Sequence, residues 1–251
     1  MPPAPLPWVS ASVPKAGHRA AENEDACAAN PGRMRYAVAD GATEGWQSGG
    51  WATHLATAYA RRPPTPPDFP DWLADVRRTW TPPPVAGAAA WYAAEKQEQG
   101  SFATLIGVEF RASDHRLGVS WKAVAVGDSC LFVVRAEAFE VAFPVTSAAA
   151  FGTRPPLVPS AADRDCPAPE WLAGWASPGD LFLLASDAVA KYLLDRRPPP
   201  GRDPVVAAAR DGVASGRAER LLDSLRSLSD EFKDDASVLA VLVPVPPEPP
   251  R

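Results

Sequence analysis

The sequence lacks any run of about 18 consecutive apolar residues, so it predicts no membrane-spanning helix. Its first residues, MPPAPLPWVSASVPK, have neither a basic start nor a continuous apolar segment, so no secretory signal is expected. Cysteine is scarce: Cys27, Cys130 and Cys166 are odd in number and form no CxxC pair. These absences favour a reduced, cytoplasmic protein and give no support to a disulfide framework or a zinc site.

Concentrated positive charge is also missing. The chain has 25 Lys and Arg against 30 Asp and Glu, a net charge of -5, and no basic block, which argues against nucleic acid as the main partner. His18, His54 and His115 show no metal-ligand spacing, and no G-x-S-x-G, P-loop or G-x-G-x-x-G motif occurs. The 30 prolines cluster in loops and in the tail, so they leave the apolar runs intact.

Aspartate stands at one end of four apolar runs. The runs and their acidic residues are YAVAD to Asp40, WKAVAVGD to Asp128, LFLLASD to Asp187, and ASVLAVLV after Asp234 and Asp235, with Glu24 and Asp25 shortly before the first run. Strand ends are rigid places to mount side chains. Carboxylates crowded there repel one another and must protonate or bind a cation. We interpret the pattern as a multi-metal site, and the simplest function for such a site is that of a hydrolase.

Each acidic site has an ordinary alternative when it is taken alone. Asp40 with Gly41 is a common turn, and Asp128 after Gly127 is good hairpin chemistry. Asp187 can favour the start of a following helix through the helix dipole. The pairs Glu24 with Asp25 and Asp234 with Asp235 can be solvated charged surface. The joint occurrence of these sites at the boundaries of apolar runs is what favours a function.

The order of predicted elements indicates an α+β fold. Strands are predicted at 8–13, 35–39, 102–110, 117–127, 129–135, 138–143, 180–185 and 236–243, and helices at 47–61, 72–80, 86–98, after Ser186, after Asp203, and at 217–232. Segregated runs of strands and helices favour a central antiparallel β-sandwich flanked by helices on both sides. We expect a flexible N-terminus at 1–8, one domain at 9–243 with an irregular flap candidate at 144–178, and a Pro-rich tail at 244–251.

A thiol nucleophile is the rival chemistry. Arg33 follows Cys27 by six positions, which is the spacing of cysteine-dependent phosphatases. That chemistry needs a phosphate-cradling loop that opens a helix and lowers the thiol pKa. Here the segment runs through Asn30-Pro31-Gly32, a turn, into a predicted strand. The pattern therefore favours a plain turn over a catalytic loop.

Six motifs in order resemble those of the metal-dependent type-2C protein phosphatases. They are NEDA, VADGATEG, GSFATLIGV, AVGDSCLFVV, FLLASDAV and DDASVLAVLV, spread over residues 9–243. The resemblance implies a two-metal centre that binds Mn²⁺ or Mg²⁺, which are hard cations that prefer oxygen ligands. Its ligands by resemblance are Asp25, Asp40, the Gly41 carbonyl, Asp187 and Asp234. Glu24 is then expected to support a water on the metal, and Asp128 to hold a third ion together with Asp187.

Several residues depart from the pattern of the resemblance. Ala42 stands where many members carry His, which leaves a general acid unassigned. The phosphate-gripping Arg is expected at position 20, which is Ala, so Arg19 is the candidate by a shift of one residue. Ala188 replaces a Gly, and Asp235 replaces an Asn; the extra carboxylate could bind metal more tightly or exchange roles with Asp234.

The expected activity is hydrolysis of phosphoserine or phosphothreonine on a protein, through a metal-activated water. The expected partner is a phosphorylated protein substrate, and the enzyme would then counteract a serine/threonine kinase. The alternative is a catalytically inactive relative that binds phosphoproteins or regulates a partner. The acidic set favours the enzyme, whereas Ala42 and the displaced Arg19 favour the alternative.

Overall fold

The computed structural model describes residues 5–43, 45–82, 100–112, 119–136, 138–152, 154–196 and 202–245. The strands are β1 Trp8–Val13, β2 Asp25–Asn30, β3 Arg35–Asp40, β4 Phe102–Ala103, β5 Leu105–Ala112, β6 Val119–Val126, β7 Cys130–Arg135, β8 Ala138–Phe143, β9 Val158–Pro159, β10 Glu170–Ala176, β11 Leu181–Ala185 and β12 Ala236–Leu242. The helices are α1 Ser48–Arg61, α2 Phe69–Thr79, α3 Asp187–Arg196, α4 Pro204–Ser215 and α5 Glu219–Ser227.

Two five-stranded antiparallel sheets form the centre of the molecule. One has the order β1-β12-β11-β7-β8, the other the order β10-β6-β5-β3-β2, and β4 pairs separately with β9. Their facing sides share an apolar core that includes Tyr36, Phe110 and Phe182. The rings of Phe110 and Phe182, one from each sheet, meet edge to face with centroids 4.8 Å apart. Such aromatic contacts stabilise the sandwich beyond the area that they bury.

Helices cover the outer face of each sheet. Helices α1 and α2 pack on the β3 and β5 side of the second sheet, where Trp51, Leu55 and Tyr59 recur every four residues and are buried. Helices α3, α4 and α5 pack on the first sheet. The predicted fold, a central antiparallel β-sandwich flanked by helices on both sides, is therefore confirmed.

Local sequence signals explain where the helices begin. At the start of α4, the Asp203 carboxylate accepts hydrogen bonds from the backbone N–H groups of Val205 and Val206, at 2.8 and 3.1 Å, and Pro204 occupies the first turn. This is the cap-plus-proline start that the sequence predicts. At α3, the N–H of Ala190 donates to the Ser186 carbonyl, so Ser186 precedes the first helical residue as expected.

Some predicted elements are wrong. Segment 144–178 is not irregular throughout, because it contains β9 and the seven-residue β10, which pairs with β6 along its whole length. Strand β2 was missed, and helix α5 ends at Ser227 instead of residue 232. Leu6, predicted to lie in a flexible N-terminus, is buried. The predicted helix at 86–98 lies outside the described residues. Within those residues, no helix has the length and apolar character needed to cross a membrane.

Candidate metal centre

The first two acidic residues are brought together by the β2–β3 pairing. Asp25 begins β2 and Asp40 ends β3, and the two are direct partners in the antiparallel ladder. The Asp40 N–H donates to the Thr104 hydroxyl at 3.0 Å, and the Thr104 N–H donates to the Asp40 carbonyl at 2.8 Å. This double contact fixes the backbone that carries the Asp40 carboxylate.

Gly41 lies where the backbone passes against the start of α1. Its N–H donates to the Glu24 carbonyl at 3.2 Å. A Cβ at this position would come within 2.6 Å of the Ser48 carbonyl carbon and 2.8 Å of the Gly49 nitrogen, both backbone atoms. Only glycine fits this approach without a shift of α1. The tight fit holds the Asp40–Gly41 turn beside Glu24.

Two further carboxylates come from the ends of β11 and β6. Asp187 is the first residue of α3, and only Ser186 separates it from the end of β11. Asp128 lies in the turn between β6 and β7, where Gly127 has a φ of 102° that favours glycine. Asp128 is buried. The two residues are close enough that the charge of Asp187 raises the pKa of Asp128.

Asp234 and Asp235 precede β12 and have different surroundings. Asp234 is half exposed, and its Oδ1 lies 3.6 Å from the Lys15 ammonium. Asp235 is buried, and its two carboxylate oxygens accept the backbone N–H groups of Lys15 and Glu24, at 2.8 and 2.7 Å. The extra acidic residue thus joins three segments of backbone. Asp235 therefore positions backbone. The sequence had suggested instead that it binds metal more tightly or exchanges roles with Asp234.

The cluster is electrostatically strained without cations. Burial raises the pKa of Asp25 to about 7, and the charges of Asp235 and Asp187 add to it. The nearby hydroxyls of Ser237 and Ser186 oppose the shift, although neither is within hydrogen-bond geometry of an Asp25 carboxylate oxygen. Burial likewise raises the pKa of Asp128 to about 7. The pKa of Asp40 is raised well above its ordinary value by burial and then by Asp25, Asp187, Asp234 and Asp128.

The pKa values of Asp187 and Glu24 are also raised. Burial and the charge of Asp234 raise the pKa of Asp187, and a hydrogen bond with Asp40 is among the opposing effects. Burial raises the pKa of Glu24, and the Thr43 hydroxyl partly offsets this. Upward pKa shifts shared by neighbouring buried carboxylates mark a candidate functional site. A divalent cation would reverse them, because it stabilises every ionised carboxylate around it.

The residues fit hard divalent cations. Both carboxylate oxygens of Asp25 and the Oδ1 of Asp187 are buried without a hydrogen-bond partner in the part of the chain that the structure describes. Buried polar atoms of this kind are normally satisfied, so they call for a ligand. In the described residues, no three acidic, His or Cys side chains converge as one ready-made metal group. Mg²⁺-type sites do not require one, because such an ion is held by one or two carboxylates and keeps several waters.

A cavity of about 730 Å³ opens over the cluster. Its lining includes the candidate ligands Asp40, Gly41, Asp128, Asp187 and Asp234, the neighbouring residues Ala42, Thr43, Gly45, Phe102 and Thr104, and the loop residues Gly152, Arg154, Pro155 and Leu157. Among the described residues, no histidine is in this lining. His54 instead stacks on Trp51, and its Nε2 lies 3.0 Å from the Val76 carbonyl. No histidine among the described lining residues therefore takes the place of the one that Ala42 replaces.

Arg19 is not among the lining residues. It flanks the short turn Ala20–Glu22, and its Nε lies 3.3 Å from Glu22 Oε2. Its side chain is 84% exposed. Arg154 could not be found from the sequence, because it lies in a Pro-rich loop with no recognisable motif. It is the basic residue that the described structure sets in the cavity wall.

The rival thiol chemistry finds no support in the geometry. Cys27 lies inside β2 opposite Val38, and Pro31–Arg33 is a short 3₁₀ turn that leads into β3. Burial, followed by the charge of Asp25, raises the pKa of the Cys27 thiol to about 12. A nucleophilic thiol needs the opposite shift.

Comparisons with known proteins agree with this architecture. No family profile matches the chain, and no curated protein matches it. Among solved structures, the catalytic domain of the serine/threonine protein phosphatase PstP in complex with two manganese ions matches with a TM-score of 0.63 and 19% identity, over 96% of this chain and 99% of that one.

Other phosphatase structures match over similar lengths. The PPM Ser-Thr phosphatase MsPP from Mycobacterium smegmatis, in complex with cacodylate, gives a TM-score of 0.59 at 19% identity, over 96% and 100% of the chains. PppA, described as a key regulatory component of T6SS in Pseudomonas aeruginosa, matches with a TM-score of 0.56 and 20% identity, over 95% of this chain and 98% of that one. The chain therefore has the fold of the PPM-type serine/threonine phosphatases, the group that the ordered motifs resemble.

Proposed function

We propose that this chain is a metal-dependent phosphoprotein phosphatase that hydrolyses phosphoserine or phosphothreonine. The observation that carries the proposal is the acidic cluster: Asp187 lines the cavity, and Asp25 pairs with the cavity residue Asp40. Buried carboxylate oxygens of Asp25 and Asp187 have no hydrogen-bond partner among the described residues. The likeness to phosphatase catalytic domains over nearly the whole chain supports it. The substrate class rests on that likeness.

The ligand set would be Asp25, Asp40, the Gly41 carbonyl, Asp187 and Asp234, with Asp128 available for a third ion. When bound, Mn²⁺ or Mg²⁺ supplies an acidified water nucleophile at neutral pH and offsets the charge on the phosphoryl oxygens. The protein's part is to hold the ligands on strand ends and turns that do not move during the reaction. The pairing of Asp25 with Asp40 and the contact of Gly41 with α1 perform this part.

Glu24 would orient the attacking water through its carboxylate. Its pKa is raised by burial, so it accepts a proton more readily than an exposed glutamate does. Its backbone is held by Asp235 on one side and by Gly41 on the other. No covalent phosphoenzyme is needed, because the water attacks phosphorus directly.

A turnover assay on a generic aryl phosphate tests the proposal. We expect hydrolysis with Mn²⁺, loss of hydrolysis with a chelator, and recovery when Mn²⁺ is restored. Turnover that persists in chelator would exclude the metal mechanism. No turnover at high enzyme concentration, together with retained binding of a phosphopeptide, would favour the inactive phosphoprotein-binding alternative.

A further inference from the structure

We propose that Arg154 binds the phosphate of the substrate in this protein, in place of Arg19. This inference rests on the proposed function. Arg154 lines the cavity formed over Asp40, Asp128, Asp187 and Asp234. Of the described residues that line this cavity, it is the one with a basic side chain.

The loop that carries Arg154 is fixed at its far end. Strand β9 follows four residues later and pairs with β4, next to Thr104 and Asp40. The Trp51 indole N–H donates to the Val158 carbonyl at 2.9 Å, and the Arg77 Nε–H donates to the Pro159 carbonyl at 3.0 Å. These contacts hold the end of the loop against α1 and α2. They therefore limit how far Arg154, four residues earlier, can move away from the cavity.

A second contact holds the loop beside the acidic turn. A Cβ on Gly127 would lie 2.8 Å from the Pro156 carbonyl oxygen, so this peptide packs directly on the residue before Asp128. Arg154 is two positions upstream of that peptide. Pro155 and Leu157, next to Arg154 in the chain, also line the cavity and supply part of its apolar wall.

The charge balance of the cavity calls for such a residue. A phosphate dianion is repelled by the carboxylates unless cations occupy them, and even then its outer oxygens need donors. Guanidinium presents parallel N–H groups that match two phosphoryl oxygens, which an ammonium does not. Within the described structure, the Arg154 side chain has no ion-pair or hydrogen-bond partner that would compete for it.

Two other basic side chains, those of Arg19 and Lys15, are already paired with acidic groups. Arg19 is paired with Glu22, which contacts it through the backbone N–H at 2.8 Å and through the guanidinium at 3.3 Å. Lys15 lies 3.6 Å from Asp234. Neither residue is part of the cavity lining.

The test compares Arg154→Ala, Arg154→Lys and Arg19→Ala with Arg61→Ala, which removes an exposed arginine of α1 and serves as the control. For each protein, KM and kcat are measured on an aryl phosphate with Mn²⁺. Calorimetry measures the affinity for inorganic phosphate of the Mn²⁺-loaded protein, and a separate titration measures the affinity for Mn²⁺ alone.

We expect Arg154→Ala to raise KM and to weaken phosphate binding by about tenfold to a hundredfold, as loss of a bidentate charged contact does. Arg154→Lys should recover part of this, and Mn²⁺ affinity should stay unchanged in all variants. Arg61→Ala should behave as the wild type. A wild-type-like Arg154→Ala, or a larger loss in Arg19→Ala than in Arg154→Ala, would overturn the inference.

The phosphate titration separates this inference from the proposed function. If the wild type binds phosphate with Mn²⁺ but does not turn over substrate, the phosphatase proposal fails, and the loss of phosphate binding in Arg154→Ala still decides the role of Arg154. If the wild type hydrolyses substrate and Arg154→Ala retains its KM and phosphate affinity, the phosphatase proposal stands and the role of Arg154 is refuted. If the Mn²⁺-loaded wild type binds no phosphate, the inference fails outright.

Discussion

Asp25 and Asp40 are direct neighbours across the β2–β3 ladder, and burial raises the pKa of each carboxyl group. An antiparallel pair places side chains of opposed residues about 5 Å apart, so two like charges there destabilise the pairing. Of this unfavourable pair, Asp40 lines the cavity and Asp25 lies opposite it in the ladder. We interpret the pair as a site held ready for cations at a cost in stability, as is common for functional residues.

The first prediction concerns Asp40→Asn. The amide removes one negative charge, so the metal-free protein should unfold at a higher temperature than the wild type. The same change should lower Mn²⁺-dependent turnover by about a hundredfold or more, as loss of a metal ligand or its close support does. Asp195→Asn, at an exposed position of α3, is the matched control and should change neither property. An Asp40→Asn protein that is both less stable and fully active would contradict this interpretation.

The second prediction is the pH dependence of stability without metal. The folded pKa values of Asp25 and Asp128, about 7, lie above the ordinary value of 3.8, so the folded state holds protons that the unfolded state has lost. Stability should therefore fall as pH rises from about 4 to about 7 and then level off. Thermal melts in chelator from about pH 5 to pH 8 would measure this.

The same melts have two internal controls. Asp128→Asn, which mimics the protonated side chain, should flatten the decline, and Asp195→Asn should leave it unchanged. Added Mn²⁺ should restore stability most at the alkaline end, where the carboxylates are ionised and the ion binds best. A metal-free wild type that becomes more stable between these pH values would refute the assignment of raised pKa values.

The third prediction assigns Asp235 to backbone positioning. Asp235→Ala leaves the N–H groups of Lys15 and Glu24 without their acceptor and should cost about 2–4 kcal/mol of stability. Asp235→Asn keeps one acceptor oxygen and should cost about half as much. Urea unfolding gives both values. Equal losses for the two variants would show that the two hydrogen bonds are not what this carboxylate contributes.

The fourth prediction concerns the contact of Gly41 with α1. Gly41→Ala forces a Cβ to within 2.6 Å of the Ser48 backbone, so α1 must shift and the stability should drop by about 1–3 kcal/mol. Mn²⁺ affinity should fall with it, because the adjacent Asp40 moves. Gly32→Ala is the control: its nearest neighbour would be 3.9 Å away, and its stability should change by less than about 0.5 kcal/mol.

The fifth prediction separates the two chemistries. Cys27→Ser should retain full turnover, because the Cys27 thiol has a raised pKa and lies within β2. Iodoacetamide should not inactivate the native protein at neutral pH. Inactivation that is prevented by inorganic phosphate would instead support a thiol nucleophile.

The sequence predicted the fold well where hydrophobic periodicity was strong. Helix α1 and strands β1, β7 and β12 came within a residue or two of their observed bounds, because aromatic and β-branched residues mark their buried faces. Strand β2, DACAAN, was missed because alanine and asparagine favour no strand on their own. Tertiary pairing with β3 makes it a strand.

The remaining differences have similar causes. Strand β10 has Trp171 and Trp175 set among alanine and glycine, and it exists because the edge of β6 pairs with it. The acidic residues that the fold brings together can be picked out in the sequence, because they follow or precede apolar runs; their metal-binding role stays a prediction. The contact of Asp235 with Lys15 and Glu24 cannot be picked out in this way, because it joins residues more than 200 positions apart. No local pattern encodes such a contact.

Because β12 lies between β1 and β11, the first sheet can be completed only after β12 has been synthesised. Strand β1 leaves the ribosome first, yet its ladder partner is made more than 200 residues later. The backbone N–H of Glu24 likewise gains its acceptor, the Asp235 carboxylate, only when that late segment has been made. A nascent chain that stops before β12 should therefore neither close its first sheet nor bind divalent cations. Capacity to bind metal should appear in one step, after the last strand emerges.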